Sequence, residues 1–168
     1  MNRPICLILL LAMAVPQPAK GQSPAPAAMD SLLERMVGRW TMTGTVLGKP
    51  VSYTLEASRV LQRRFVELHM TDLAKPPQYE ARVFIGVDSA GGQYIAHWLD
   101  NTGAAYSIPP ATGTASGDTV MLMFPYPDGA FRDTFVYDRH AGTWDFLLEA
   151  ADSIKGWRTF ANYQVRRR

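Results

Sequence analysis

A chain of 168 residues with 47% hydrophobic and 19% charged residues is long enough for one domain with a sizeable core and too apolar to be disordered. Its single cysteine, Cys6, excludes a disulfide framework and a thiolate metal centre. The formal net charge of +2 leaves no strongly basic surface for nucleic acid beyond the closing Arg166-Arg167-Arg168.

The first residues have the form of a secretory signal peptide: Arg3 as a positive n-region, an apolar run from Ile5 to Val15, and small residues around Lys20. Cleavage is expected after Gly21, with Ala14 as the alternative. The run is shorter than the roughly 20 residues a membrane span requires, so no membrane anchor is expected after processing. No cysteine follows the run to accept a lipid. Residues 1–21 carry Arg3 and Lys20 and no acid, so their removal takes Lys+Arg from 17 to 15 against 15 Asp+Glu and leaves a mature charge of zero. An exported protein, periplasmic or extracellular, is the expectation.

Residues 22–29 are rich in Pro and Ala and read as an extended tether; the folded domain is expected over 30–168. Between Asp30 and Val37, Leu32, Leu33, Met36 and Val37 share one helical face. Ser31 followed by Glu34 has the form of a capping box. From Arg39 the period changes to two. Strands are predicted over 40–47, 51–60, 63–71, 78–87, 93–99, 104–107, 111–115, 119–124, 130–137, 143–150 and 157–166, separated by Gly, Pro, Asn and Asp at the turns. Short connections imply antiparallel neighbours, and closure removes exposed edges. The expected fold is therefore all-β: a single antiparallel up-and-down barrel of about ten strands, with a short N-terminal helix closing one end.

Within these strands Trp144, Phe146 and Leu148 share a face, as do Tyr79, Ala81, Val83, Ile85 and Val87. Two faces mix aromatic with polar residues: Phe65, Glu67 and His69 on one strand, Tyr94, Ala96, Trp98 and Asp100 on another. Each reads equally as the wall of a wet lumen or as outer surface.

Gly38-Arg39-Trp40 at the helix-to-strand junction, Gly86-Val87-Asp88, the segment from Tyr94 to Gly103 and the closing Tyr163-Gln164-Val165-Arg166 together give the chain its likeness to a known superfamily. It resembles the calycins (lipocalins, fatty-acid-binding proteins and nitrobindin-like haem barrels), most closely their secreted bacterial members of unknown function. The resemblance implies that the helix closes the barrel's lower end, that Gly38 and Trp40 are structural, and that Arg166 packs across Trp40. Haem in this superfamily depends on a histidine from a late strand. Here the late histidine is His140, placed in a turn, so no cofactor is expected.

His69, His97 and His140 show no metal-ligand spacing, and no nucleophile elbow, phosphate loop or dinucleotide fingerprint is present. His97 alternates with Ile95 and Leu99 and reads as a core histidine or a proton-transferring one. Glu67 and His69 fall on one face of a strand, where a carboxylate could orient the imidazole. Asp100, with Trp98 and Asn101, is either a turn cap or part of a barrel mouth, and Met121 to Pro127 reads as an apolar portal or as a core strand and loop. The functional expectation is a small apolar or aromatic ligand held in the lumen by Tyr94, Trp98, Phe65, Phe84 and Tyr106. The alternatives are an enzyme using His97 or His69 as acid or base with Asp100 orienting it, and a filled barrel acting as an interaction module.

Overall fold

The computed structural model describes residues 30–88, 92–154 and 156–168; the expected leader and tether lie outside the described residues. Chain order begins with α1 (Ser31–Met36). Its N-cap is Asp30, whose carboxylate accepts hydrogen bonds from the backbone N–H groups of Leu32 at 2.8 Å and Leu33 at 3.3 Å. The capping box expected from Ser31 and Glu34 does not form. An Asp one residue earlier caps as well as Ser does and adds a charge that the helix dipole favours, which frees Glu34 to reach outward to Arg59 and Arg63.

Ten strands follow: β1 (Gly38–Val46), β2 (Lys49–Val60), β3 (Phe65–Asp72), β4 (Glu80–Val87), β5 (Tyr94–Asp100), β6 (Ala111–Ser116), β7 (Thr119–Phe124), β8 (Phe131–Asp138), β9 (Thr143–Asp152) and β10 (Gly156–Arg167). Each pairs antiparallel with its sequence neighbours, and β1 pairs with β10 to close the barrel. The strand expected over 104–107 is instead a 3-10 turn, Ala104–Tyr106. It lies on the long connection from β5 to β6, where Pro109 and Pro110 stop a ladder from forming.

The ladders are unequal. β1 and β2 pair from Gly38↔Ala57 to Val46↔Lys49, whereas β5 and β6 share only Tyr94↔Gly113, Ile95↔Thr112 and Ala96↔Ala111. On β10 the register shifts between Thr159 and Ala161, a bulge that lets Phe160 face the lumen beside the regularly inward Ala161 and Tyr163.

Because the odd strands all start at the helix end, that end collects the β2–β3, β6–β7 and β8–β9 turns. α1 is tied to the first by Glu34 with Arg59 and Arg63 and to the second by Arg35 with Asp118 at 2.9 Å, and Arg139 joins the third to Asp118. Leu32, Leu33 and Met36 enter the same core as Trp40, Leu55, Val66, Leu68, Val83, Ile85, Leu122, Phe135, Trp144, Phe146 and Val165. Each such side chain contributes roughly 1.5 to 3 kcal/mol when fully buried. Trp40 Nε1 donates to Met36 O at 2.7 Å, so the indole plugs the barrel without leaving an orphaned donor.

The arginine over Trp40 is Arg167, 4.3 Å from the ring centroid, and not Arg166. Register decides this. Arg167 lies directly opposite Trp40, while Arg166 opposes Thr41, is exposed and donates to Gln164. Gly38 matters here because its φ of +145° suits glycine, and a Cβ there would stand 2.7 Å from Arg167 Nη1.

Candidate functional site

The half of the barrel away from α1 is hollow. A cavity of about 580 Å³ begins below Met42 and Met70 and opens among the β5–β6 and β7–β8 loops. Its wall is built by residues in the inward phase of their strands: Tyr53 on β2, Trp98 and Asp100 on β5, Phe124 on β7, Phe131 and Asp133 on β8, Leu148 on β9 and Tyr163 on β10. Loops supply Tyr79, Thr102, Tyr106, Tyr126 and Asp128, and the bulge supplies Phe160. The rings form a chain of contacts. Tyr53 meets Tyr79 at 5.7 Å and Tyr163 at 5.9 Å, Phe124 stacks on Tyr126 at 5.5 Å, and Tyr126, Phe131 and Phe160 follow edge to face.

Two carboxylates in this wall have different lives. Asp100 is satisfied four times: Oδ2 accepts from Tyr79 Oη and Trp98 Nε1, each at 3.2 Å, while Oδ1 accepts from the backbone N–H of Thr102 at 3.0 Å and from its hydroxyl. It is at once turn cap and cavity wall. Burial first, then Asp100, raises the Tyr79 hydroxyl above its ordinary range. At the rim Tyr106 Oη donates to Asp128 at 3.0 Å, joining the two mouth loops. Asp133, by contrast, is 2% exposed and lies between Leu122 of β7 and Leu148 of β9. Burial pushes its carboxyl up to about 8, with no hydrogen bond among the described residues to offset it.

The residues singled out from sequence scatter across three environments. Trp98, Tyr106 and Asp100 line the cavity. Tyr94 is buried lower down, where burial and then the Asp30 carboxylate hold its hydroxyl above the ordinary range. Phe65 and Phe84 stand outside the barrel and are no part of its lumen. They occupy the phase opposite to the buried Val66, Leu68, Val83 and Ile85, and the Phe65 ring covers Gly86, where a Cβ would lie 2.8 Å from it. His69 and His97 are on that outer face too. His97 pairs across from Phe84, so it is no core histidine, because the apolar face of Ile95, His97 and Leu99 is the outer one. His69 Nε2 meets Glu80 Oε1 at 2.7 Å, and Glu67 turns to Arg82 at 2.5 Å instead of orienting His69. Neither histidine reaches Asp100, which faces inward from the end of β5.

His140 is exposed in the β8–β9 turn. No histidine lines the cavity, so no imidazole of the described residues could ligate a haem seated there. Among the described residues no group of three His, Cys, Asp or Glu side chains forms a metal-binding cluster.

Asp133 escaped the sequence reading. The signal was present: Phe131, Asp133, Phe135 and Tyr137 form one phase of a strand, and a carboxylate in an apolar phase is out of place unless it has a task. Tyr53 and Tyr163 escaped because a tyrosine fits a filled core as readily as a hollow one, whereas Phe124 and Tyr126 of the segment expected as an apolar portal or a core strand and loop do line the cavity.

Among solved structures the chain is similar to one titled "Crystal Structure of Rv2717c from M. tuberculosis", with 13% identity, a TM-score of 0.58, and coverage of 84% of this chain and 99% of that one. A likeness at that identity shows the fold alone. No protein-family model matches the sequence, and no curated protein matches it.

Proposed function

We propose that this is a calycin-like carrier that takes a small apolar or aromatic molecule into the open half of its barrel, acting outside the cytoplasm once its leader is removed. The observation that carries the reading is the cavity of about 580 Å³ walled by aromatic rings, a volume in the usual range for small-molecule sites. A solid barrel has no such space. A ligand of about twenty heavy atoms, at about 0.3 kcal/mol per atom, would bind with a dissociation constant in the tens of micromolar.

Titration with N-phenyl-1-naphthylamine, an uncharged aromatic probe, tests this. We expect saturable binding at one site with a change in tryptophan emission, since Trp98 is in the wall. Trp98→Ala should weaken the probe by about tenfold with the barrel still folded by circular dichroism. Linear, non-saturating uptake would sink the carrier reading.

A further inference from the structure

Three carboxyl groups line the cavity, Asp100, Asp128 and Asp133, and among the described residues no lysine, arginine or histidine does. An anionic ligand would find no counter-charge there. Asp100 and Asp128 are engaged by their own neighbours. Asp133 is buried on the cavity wall and accepts no hydrogen bond from any described residue, an arrangement that costs stability and that apolar packing would have avoided.

Resting on the carrier reading, we propose that the cavity selects an organic cation: an apolar or aromatic body bearing one protonated amine, whose N–H groups donate to Asp133 while the body lies among Tyr53, Tyr126, Phe131 and Tyr163. Folding has already taken Asp133 out of water, so binding adds the desolvation of the ligand's own charge and the release of the Asp133 proton, with no further burial of the carboxyl. The rings assist, since the faces of aromatic side chains attract cations.

The groups facing Asp133 favour this choice. Leu122 and Leu148 flank it on β7 and β9 and do not titrate. Tyr126 and Tyr163, which feel its charge, have hydroxyls held above their ordinary range by burial and stay neutral. The remaining carboxyl groups of the cavity are Asp100, which also acts on Tyr126, and Asp128 at the rim, and both add to the negative potential.

With its carboxyl pushed up to about 8, Asp133 is protonated in the empty protein at pH 7. An arriving ammonium keeps its own proton, and the Asp133 O–H bond gives its proton to solvent, leaving a carboxylate paired with the cation. Binding at pH 7 should therefore release about 0.9 proton per ligand, and affinity should rise severalfold between pH 7 and 8.

Three ligands with one skeleton test the inference: 1-naphthylmethylamine, 1-naphthalenemethanol and 1-naphthoic acid, titrated calorimetrically into the exported protein in two buffers of different ionisation enthalpy. We expect the amine to bind at least about tenfold tighter than the alcohol, with proton release for the amine alone and no measurable binding of the acid. Asp133→Asn, which keeps the shape of the side chain, should remove both the amine preference and the proton release. Equal affinity of amine and alcohol in the native protein, or a preference that survives Asp133→Asn, overturns the cation inference and leaves the carrier standing. Failure of all three ligands to bind overturns both.

Discussion

At the helix end of the barrel, α1, Trp40, Phe135, Trp144 and Phe146 fill the interior, while at the other end Tyr53, Tyr79, Tyr126, Tyr163 and three aspartates stand around open space. Both ends are cut from the same ten strands with the same inward phase. What separates them is how each closes. One receives an amphipathic helix whose Leu32, Leu33 and Met36 complete the packing, with its ion pairs turned outward to the turns. The other receives only loops, joined at the rim by Tyr106 and Asp128, and keeps its polar groups inside. Alternation decides which face is interior; it does not decide whether the interior is full.

The comparison breaks hardest at Trp40. Replacing it with alanine should empty the plug and orphan Met36 O, costing about 3 to 5 kcal/mol by urea denaturation. A midpoint equal to that of the native protein, at unchanged slope, would show that the helix end is not what holds the barrel.

Acid and alkali sharpen the same contrast. Glu34 at the helix end is held below the ordinary carboxylate range, first by its hydrogen bond to Arg59, so its stabilisation is full above pH 4.5 and fades as pH falls through the lowered value. Asp133 has the opposite sign. The folded protein keeps a proton that the unfolded chain releases above pH 3.8, so stability declines as pH climbs from there to about 8. Asp133→Asn should remove the alkaline decline and stabilise the protein at pH 8 relative to the native chain, leaving the acid limb intact. Thermal melts from pH 4 to 9 would show it. A native protein equally stable at pH 5 and pH 8 would mean that the Asp133 carboxyl is solvated.

The smallest effect separates neighbours. Arg167→Ala should cost about 0.5 to 1 kcal/mol through the lost contact with the Trp40 ring, and Arg166→Ala almost nothing. Equal midpoints for the two variants would make the Arg167 contact incidental.

Much of the barrel could be read from the chain, because period-two alternation with glycine and proline at the breaks is a local signal repeated ten times over. Residues 104–107 misled because a four-residue stretch, Ala-Ala-Tyr-Ser, carries no information about whether a partner strand is within reach. Arg166 misled by one position, since three consecutive arginines offer the same chemistry and only the register against β1 chooses among them. The site was harder. Phe65, Phe84 and His97 belong to strands where both faces carry apolar residues, so composition could not tell inside from outside; on β3 the outer Phe65 ring covers Gly86. Trp98 and Asp100 were legible because aromatic and acid share a phase at a strand end. Asp133 carried the same kind of mark in mid-strand.

The β5–β6 ladder, three pairs long, gives the barrel a seam. Beyond Ala96 the backbone of β5 runs on through Trp98 to Asp100 with no β6 partner, and its side chains are held instead by Phe124, Tyr79 and Thr102. In a closed ring of hydrogen bonds, parting one short ladder leaves the others intact, so this seam can open at far less than the free energy of global unfolding. The seam is thus where the ring is least braced by backbone hydrogen bonds, beside the strand that carries Trp98. Amide exchange along β5 should outpace that of β9, whose ladders to β8 and β10 are long on both sides.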